Sequence, residues 1–421
     1  MQINAPKGTA DTLPSESWKW QALESTARQV ATAYHYAEIR TPIFEHSELF
    51  HRGVGETSDI VAKETYTFKD RAERSITLRP EGTAGVVRAM IEHGLIAQEG
   101  ARQKVFYIGP NFRYEQPQAG RLRQHHQFGV EAFGIAEPEQ DAECILLQMD
   151  FYRRCGVRDL ALNVNSLGDR ESKARFRQTI IEALTPVADQ LSPDSRRRLA
   201  ENPFRILDSK DPADQSLLLR LPPAIDSLSE RSRRHFDRVI ELLKFSDVKF
   251  EISNHLVRGF DYYTETLWEV TASGLGSQNA IGGGGRYDNL VENLGGRPTP
   301  GVGFGSGLER LLMALESQGV AVPDLRPQLV WLVAHGEAAR RANWQLMMEL
   351  RNAGLTTDMD LAGRSVKAQF KIADREHAAV CVTVGDSELS AGTAQVKNLK
   401  SGEQLSVARA DLISRLRAML Q

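Results

Sequence analysis

The sequence predicts a mixed α+β chain in three parts: a sheet-bearing body (residues 1–170 and 246–325), a helical insertion (171–245) and a C-terminal α/β domain (326–421). Three observations predict this. "KVFYIGPNFRYE" and "RQHHQFGVEAFG" are strand-like runs joined by "QPQAGRL", a loop with Pro117 and Gly120, so they read as a long-looped antiparallel hairpin. Between 171 and 245 strand signals give way to "DSRRRLA" and "SERSRRHFDRV", which read as short amphipathic helices. After "VAVPDLRPQ" the text alternates strand, helix, strand, helix, strand, the pattern of a parallel or mixed sheet.

Composition bounds the rest. At 421 residues the chain exceeds what one domain needs. Its apolar, charged and aromatic fractions of 41%, 25% and 7% are those of a globular protein, and no apolar run nears the ~20 residues that span a bilayer, so no membrane partner is expected. "MQINAPKGTADTLP" carries neither an apolar signal core nor an Arg- and Ser-rich leader, which predicts a cytoplasmic location. Cys144, Cys155 and Cys381 are widely spaced with no CxxC pair, which argues against disulfides or a structural zinc and for buried fillers. With 52 Lys plus Arg against 55 Asp plus Glu, any nucleic acid must be met by a local patch.

Along the chain, "PSESWKWQALESTARQVATAYHY" predicts a helix capped by Ser15, and "AEIRTPIFEHSELF" a strand entering a turn at Pro42. "LRPEGTAGVVRAM" is a strand-to-helix transition in which Glu81 and Thr83 either cap the helix or receive an ammonium group, with Gly82 between them. In the hairpin, alternation puts Arg113 and Glu115 on one face, and Gln127, Gly129 and Glu131 on one face of the return strand. Gly129 leaves a gap that a ligand could approach; a wet outer face is the bland alternative. "GVGFGSGLERLLMALES" places Leu308, Leu311, Leu312 and Leu315 at helical spacing. In the last part, "EAARRANWQLMMELRNAG" is a helix ending near Gly354.

The chemistry is constrained by what is missing: the chain has no GxxxxGK[ST], GxSxG or HExxH, and "GGGGRYD" and "GVGFGSG" fail the GxGxxG spacing. A bound nucleotide would therefore need arginines on strands for its phosphates. In "LVRGFDYY" Arg258 reads as a strand arginine that either pairs with Asp261 or joins Arg113 and Arg310 as a polyphosphate ligand. "GGGGRYDNL" places four glycines before Arg286 and Tyr287, which suggests close packing against a ligand or a strand. Arg364, Lys367, Lys371 and Arg375 form a basic stripe on a helix, either a solvated face or a contact for a phosphate backbone.

Taken together, these stretches resemble the histidyl-tRNA synthetases, a class II aminoacyl-tRNA synthetase family. "EIRTPIFE" resembles motif 1 around Pro42, "FRYEQPQAGRLRQHHQFGVEAFG" motif 2, and "GVGFGSGLERLLMAL" motif 3, ending on Arg310. "LVRGFDYYTETLWEV" and "GGGGRYDNL" resemble signatures of the histidine enzymes, and "KGTADTLP", "LRPEGTAG", "NPFRILDSK" and "GDSELSAGTAQVKNLKSGEQ" extend the resemblance from near residue 6 to near residue 406.

The resemblance implies an antiparallel catalytic sheet flanked by helices, a helical insertion near the tRNA acceptor arm, an α/β anticodon-binding domain and a homodimer through motif 1. It implies ligation of L-histidine to its tRNA through an adenylate, with ATP and accompanying Mg²⁺ and no metal held by the protein. Glu81 and Thr83 would bind the amino group, and Arg113 would sit near the carboxylate and α-phosphate. Gln127, Glu131, Tyr262, Tyr263 and Tyr287 would surround the imidazole side. Arg258 would stabilise the α-phosphate, Arg310 would hold the γ-phosphate, and Glu115 and Arg121 would serve the ATP site. The loop containing Gln118 would meet the acceptor end. His125 departs from the aromatic or apolar residue frequent at its position. Two rivals are a histidine-sensing regulatory subunit of ATP phosphoribosyltransferase and a class II synthetase for another amino acid, such as proline or threonine.

Overall fold

The computed structural model describes residues 3–55, 59–118, 120–276 and 279–420, in two compact units, 1–324 and 325–421. In the first, an eight-stranded sheet runs in the order Ala37–Glu38, Gln103–Phe112, Gln124–Phe133, Gly301–Gly307, Ala280–Arg286, Thr264–Ala272, Leu160–Ser166, Glu251–Ile252. Only the two outermost pairings are parallel; every inner one is antiparallel. The hairpin read from the sequence sits beside the centre of this sheet.

Alternation along the strands separates two faces. Phe106, Phe128, Val130, Trp268 and Phe304 point into the main core, where helices Ser17–Ala33, Pro138–Arg154, Glu230–Phe245 and Leu308–Ser317 contribute apolar side chains. The opposite face carries the polar residues described below. Helix Pro138–Arg154 begins with proline at its first position, has Glu139 and Asp141 in its first turn and Arg153 and Arg154 in its last, as the helix dipole favours.

Between 171 and 245 the chain is helical. Phe176, Ile180, Ile206 and Leu217 build a satellite core that also takes in Leu167, Val257 and Leu267, whereas the last helix, Glu230–Phe245, packs into the main core through Phe236, Val239 and Leu243. The second unit has a mixed sheet ordered Thr357–Met359, Val330–Ala334, Val380–Val384, Thr393–Asn398, Gln404–Ala408, the first three strands parallel and the last two antiparallel. All three cysteines are free and buried, and among the described residues no helix is long and apolar enough to cross a membrane.

Three local readings change. Ser15 does not cap the first helix: that position is Glu16, and the carbonyl of Ser15 instead accepts from Trp18 Nε1. Arg258 lies in a loop rather than on a strand, within the irregular segment that joins Glu251–Ile252 to Thr264–Ala272. Arg364 precedes the helix Val366–Arg375 and is tied to Asp360 at 2.7 Å, so only Lys367, Lys371 and Arg375 share that helix.

Arg286 proves to be a structural residue. Fully buried, it ion-pairs with the fully buried Asp141 and donates to the Ile135 and Glu137 carbonyls, joining the end of the glycine strand to the start of helix Pro138–Arg154. Burial alone would raise Asp141, but the Arg286 guanidinium holds it down at about 2. Removing one partner of such a pair strands the other charge. Arg286→Ala should therefore lose roughly 3–5 kcal/mol of stability, measured by urea unfolding.

Candidate functional site

The second face of the large sheet floors a cavity of about 520 Å³. Its floor is nearly free of side chains, because the inward positions of two adjacent strands are glycines. What lies on that floor explains them. The Arg258 guanidinium lies over Gly283, the Tyr263 ring over Gly285, the Tyr287 ring over Gly301, the Glu131 carboxylate over Gly303 and the Gln127 amide over Gly305, each close enough that a Cβ would meet it. The sequence reading of "GGGGRYDNL" as close packing thus holds: these glycines lie against the backbone of the neighbouring strands as well as against polar side chains of the site.

Tyr107 was not singled out by the sequence. Its ring fills the space above Gly129 and also abuts Gly82, where a Cβ at either would collide with it. The gap read at Gly129 is therefore taken by Tyr107, whose hydroxyl donates to Glu131 at 3.3 Å. Thr83 donates to the same carboxylate at 2.7 Å, and Tyr287 donates to its other oxygen. Glu131 is about 1% exposed. Burial pushes it up to about 8, against the pull of those hydroxyls.

Of the two readings of Glu81, the capping one is met, and the residue also borders the cavity. Its carboxylate accepts the N–H groups of Thr83 (2.6 Å) and Ala84 (2.8 Å), which start helix Thr83–Glu92, and it still lines the cavity with lone pairs to spare. Burial raises it above the ordinary carboxylate value. Tyr262 lies stacked on Phe260 and edge-on to Tyr287, giving an aromatic wall.

The cationic side of the cavity is built from four arginines. Arg258 pairs with Glu269 at 2.7 Å, and Glu269 is the cross-strand partner of Gly283, over which Arg258 lies. The partner proposed from sequence, Asp261, instead meets Arg205 and Asn202. Arg113 follows the end of its strand, so Arg113 and Glu115 lie beyond the pleated alternation read for them; Arg113 donates to the Pro80 carbonyl at 2.9 Å with its guanidinium 5.7 Å from the Phe260 ring centre. Arg121 pairs with Glu115 at 2.9 Å. Arg310 donates to the Gly120 and Ala280 carbonyls, and burial, then the charge of Arg121, push it below the ordinary arginine value.

Glu81, Thr83, Arg113, Glu115, Arg121, Gln127, Arg258, Tyr262, Tyr263, Tyr287 and Arg310 thus line one cavity, with Glu131 at its base and Gly82 behind Tyr107. Gln118 sits on the hairpin loop bridged to Arg121, outside the lining. His125 also lines the cavity, where burial and the nearby Arg113 push it down to about 3. Asp208, Lys210 and Glu269 join it without having been foreseen; for the first two the available signal was the stretch "NPFRILDSK", whose role spacing did not reveal. Arg364, Lys367, Lys371 and Arg375 belong to the second unit. Among the described residues no group of three or more His, Cys, Asp or Glu side chains is arranged to hold a metal ion.

A cavity with acidic and aromatic groups at one end and arginines at the other suits a small zwitterion beside a polyphosphate. Comparison with known proteins agrees. The family model described as histidyl-tRNA synthetase matches residues 8–311, and one described as an anticodon binding domain matches residues 329–419. The chain is 50% identical to the histidine–tRNA ligase of Thermosynechococcus vestitus, covering 98% of this chain and 96% of that protein. It is 47% identical to that of Halothermothrix orenii, over the whole of both. Its structure matches apo histidyl-tRNA synthetase of S. aureus with a TM-score of 0.83 and 36% identity, covering 98% and 99% of the two chains. These full-length matches disfavour the regulatory-subunit reading. Likeness of this depth across both units means that the chain belongs to the histidyl-tRNA synthetase family of aminoacyl-tRNA synthetases.

Proposed function

We propose that, in the ATP-dependent ligation of histidine to tRNA for which this family is named, the cavity over the glycine floor forms the adenylate and Arg258 is its electrostatic catalyst. The observation that carries this reading is the placement of Arg258, held by Glu269 across Gly283 so that its guanidinium borders the same cavity as Glu81, Thr83 and the tyrosines.

An oxygen of the histidine carboxylate attacks the α-phosphorus of ATP, a P–O bond forms, and the bond to the β-phosphate breaks to release pyrophosphate. Negative charge gathers on the non-bridging oxygens as this happens. A guanidinium already fixed there stabilises the transition state more than the ground state and needs no reorganisation. Arg113 is assigned to the substrate carboxylate and α-phosphate, Arg310 to the γ-phosphate, and Arg121 and Glu115 to the remainder of the nucleotide. Mg²⁺ is expected as the counter-ion that ATP brings.

The amino acid's ammonium group is assigned to Glu81 and the Thr83 hydroxyl. Its imidazole is assigned to the pocket of Glu131, Gln127, Tyr262, Tyr263 and Tyr287, which offers polar partners to both ring nitrogens. An analogue lacking those nitrogens would leave buried groups unpaired, a penalty on the order of 10⁴ to 10⁵ in discrimination, so no editing site is required. The adenylate then passes to the terminal ribose of the tRNA, with Gln118 and its loop assigned to the acceptor end, the 171–245 insertion to the acceptor arm, and the basic helix of the second unit to the anticodon arm. A homodimer is supported by Ile43, Phe44 and Phe68, large apolar side chains left exposed around the small sheet that includes Phe44–His46. A cytoplasmic location fits the three buried free thiols.

The reading is tested by pyrophosphate exchange across a panel of amino acids: exchange should require histidine, and its absence with histidine would sink the proposal. Arg258→Ala should lower the exchange kcat by roughly 10²- to 10³-fold while histidine binding, measured by calorimetry, weakens far less; equal losses in both would mark Arg258 as a structural ion-pair member. Glu131 favours folding in its protonated form, so that contribution is full below its ordinary value near 4.5 and fades as pH rises through about 8. The Tm of Glu131→Gln relative to the parent should accordingly climb across that window, with loss of histidine selectivity. Neutralising Lys367, Lys371 and Arg375 together should weaken tRNA binding and flatten its salt dependence with adenylate formation unchanged; an unaltered tRNA affinity would return that helix to a solvated face.

A further inference from the structure

The loop that carries Arg258 is a partition. On one side lies the main cavity, and on the other a second cavity of about 180 Å³; Val257, Arg258, Phe260 and Tyr263 line both. Val257, Tyr262 and Tyr263 anchor the segment in packed apolar clusters, and polar ties fix the backbone of residues 259–263 between them. Asn165 holds the Leu256 carbonyl before Arg258, and the ties after it come from the segment between 170 and 210. Lys173, on helix Arg170–Leu184, donates to the Asp261 carbonyl at 3.2 Å and the Tyr263 carbonyl at 2.8 Å. Arg205 donates to the Gly259 carbonyl at 2.7 Å, and Asn202 donates to the Asp261 side chain at 3.1 Å. Both cations therefore hold main-chain oxygens on either side of Phe260, one residue from Arg258 at the nearest.

We infer that Lys173 and Arg205 are positioning residues for adenylation: they clamp the Arg258 loop from behind, so that the helical segment sets the aim of the catalytic guanidinium. This rests on the assignment of Arg258 given above. Two features favour it over a plain structural tie. Lys173 is partly buried, and its two acceptors are neutral carbonyls, so holding an ammonium there costs desolvation that a neutral donor would avoid. In addition, the clamp grips the backbone, which fixes where residues 259–263 run whatever ligand occupies the cavity. The same contacts give the insertion a mechanical route to the chemistry, since a shift of helix Arg170–Leu184 would carry the loop with it.

A double-mutant cycle tests the inference in the full-length protein. Lys173→Met should lower the kcat of histidine-dependent pyrophosphate exchange by roughly 10- to 100-fold, the cost of a misplacement near 1 Å, with KM for histidine held within about twofold and Lys173→Arg recovering part of the loss. In an Arg258→Ala background the same substitution should cost nothing further, because its effect passes through that arginine. Multiplying losses in the two backgrounds, or a loss carried by KM, would overturn the inference. If Lys173→Met fails to fold, Arg205→Lys takes its place in the cycle, where a loss that vanishes beside Arg258→Ala supports the clamp and a loss that multiplies overturns it. An Arg258→Ala variant that retains full exchange would instead defeat the assignment of Arg258 itself.

Discussion

The site depends on the absence of side chains. A pleated sheet normally presents a Cβ every second residue on each face, and those carbons would stand where Arg258, Tyr263, Tyr287, Glu131 and Gln127 now lie. By removing them, two neighbouring glycine strands let long polar groups lie flat against a backbone that is hydrogen-bonded along both edges and therefore stiff. The core face shows the complementary solution, with Val302 and Phe304 of one glycine strand and Trp268 of the neighbouring strand filling the interior. Glycine in a strand ordinarily weakens it; here the loss is offset by pairing on both sides and by the dense aromatic core beneath.

On this floor the arginines are anchored. Each of the four arginines of the cavity is held by a carboxylate or by main-chain carbonyls: Arg258 by Glu269, Arg121 by Glu115, Arg113 by Pro80, and Arg310 by Gly120 and Ala280. A guanidinium has five donors in a fixed fork, so it can be anchored on one side and still face a ligand on the other. The acidic end follows the opposite logic. Glu131 is buried among hydroxyl donors with no cation bonded to it, and burial outweighs the pull of those hydroxyls, which leaves it close to neutral at physiological pH.

Much of this was legible in the sequence because it rests on local pattern. The hairpin, the basic helix and the alternating C-terminal domain announce themselves through period, turn residues and glycine punctuation, and the signature stretches named the family. What stayed hidden was set by contacts distant in sequence. Tyr107 looks like any strand aromatic until Gly82 and Gly129 are brought around it. Asp261 follows Arg258 by three residues, yet the partner is Glu269, because the loop turns Arg258 back over a strand that follows it. Arg286, beside four glycines and a tyrosine of the site, belongs to the scaffold through Asp141, 145 positions away. Arg364 fits the spacing of the basic stripe but lies before the helix begins, where Asp360 claims it.

The glycine floor also bears on how a protein of this kind changes over generations. Glycine to alanine is a single-nucleotide change that adds one methyl group, and at Gly283 or Gly303 that methyl would meet the guanidinium or the carboxylate and also a backbone carbonyl of the neighbouring strand. The smallest available substitution would thus press at once on the sheet and on the polar groups lying over it.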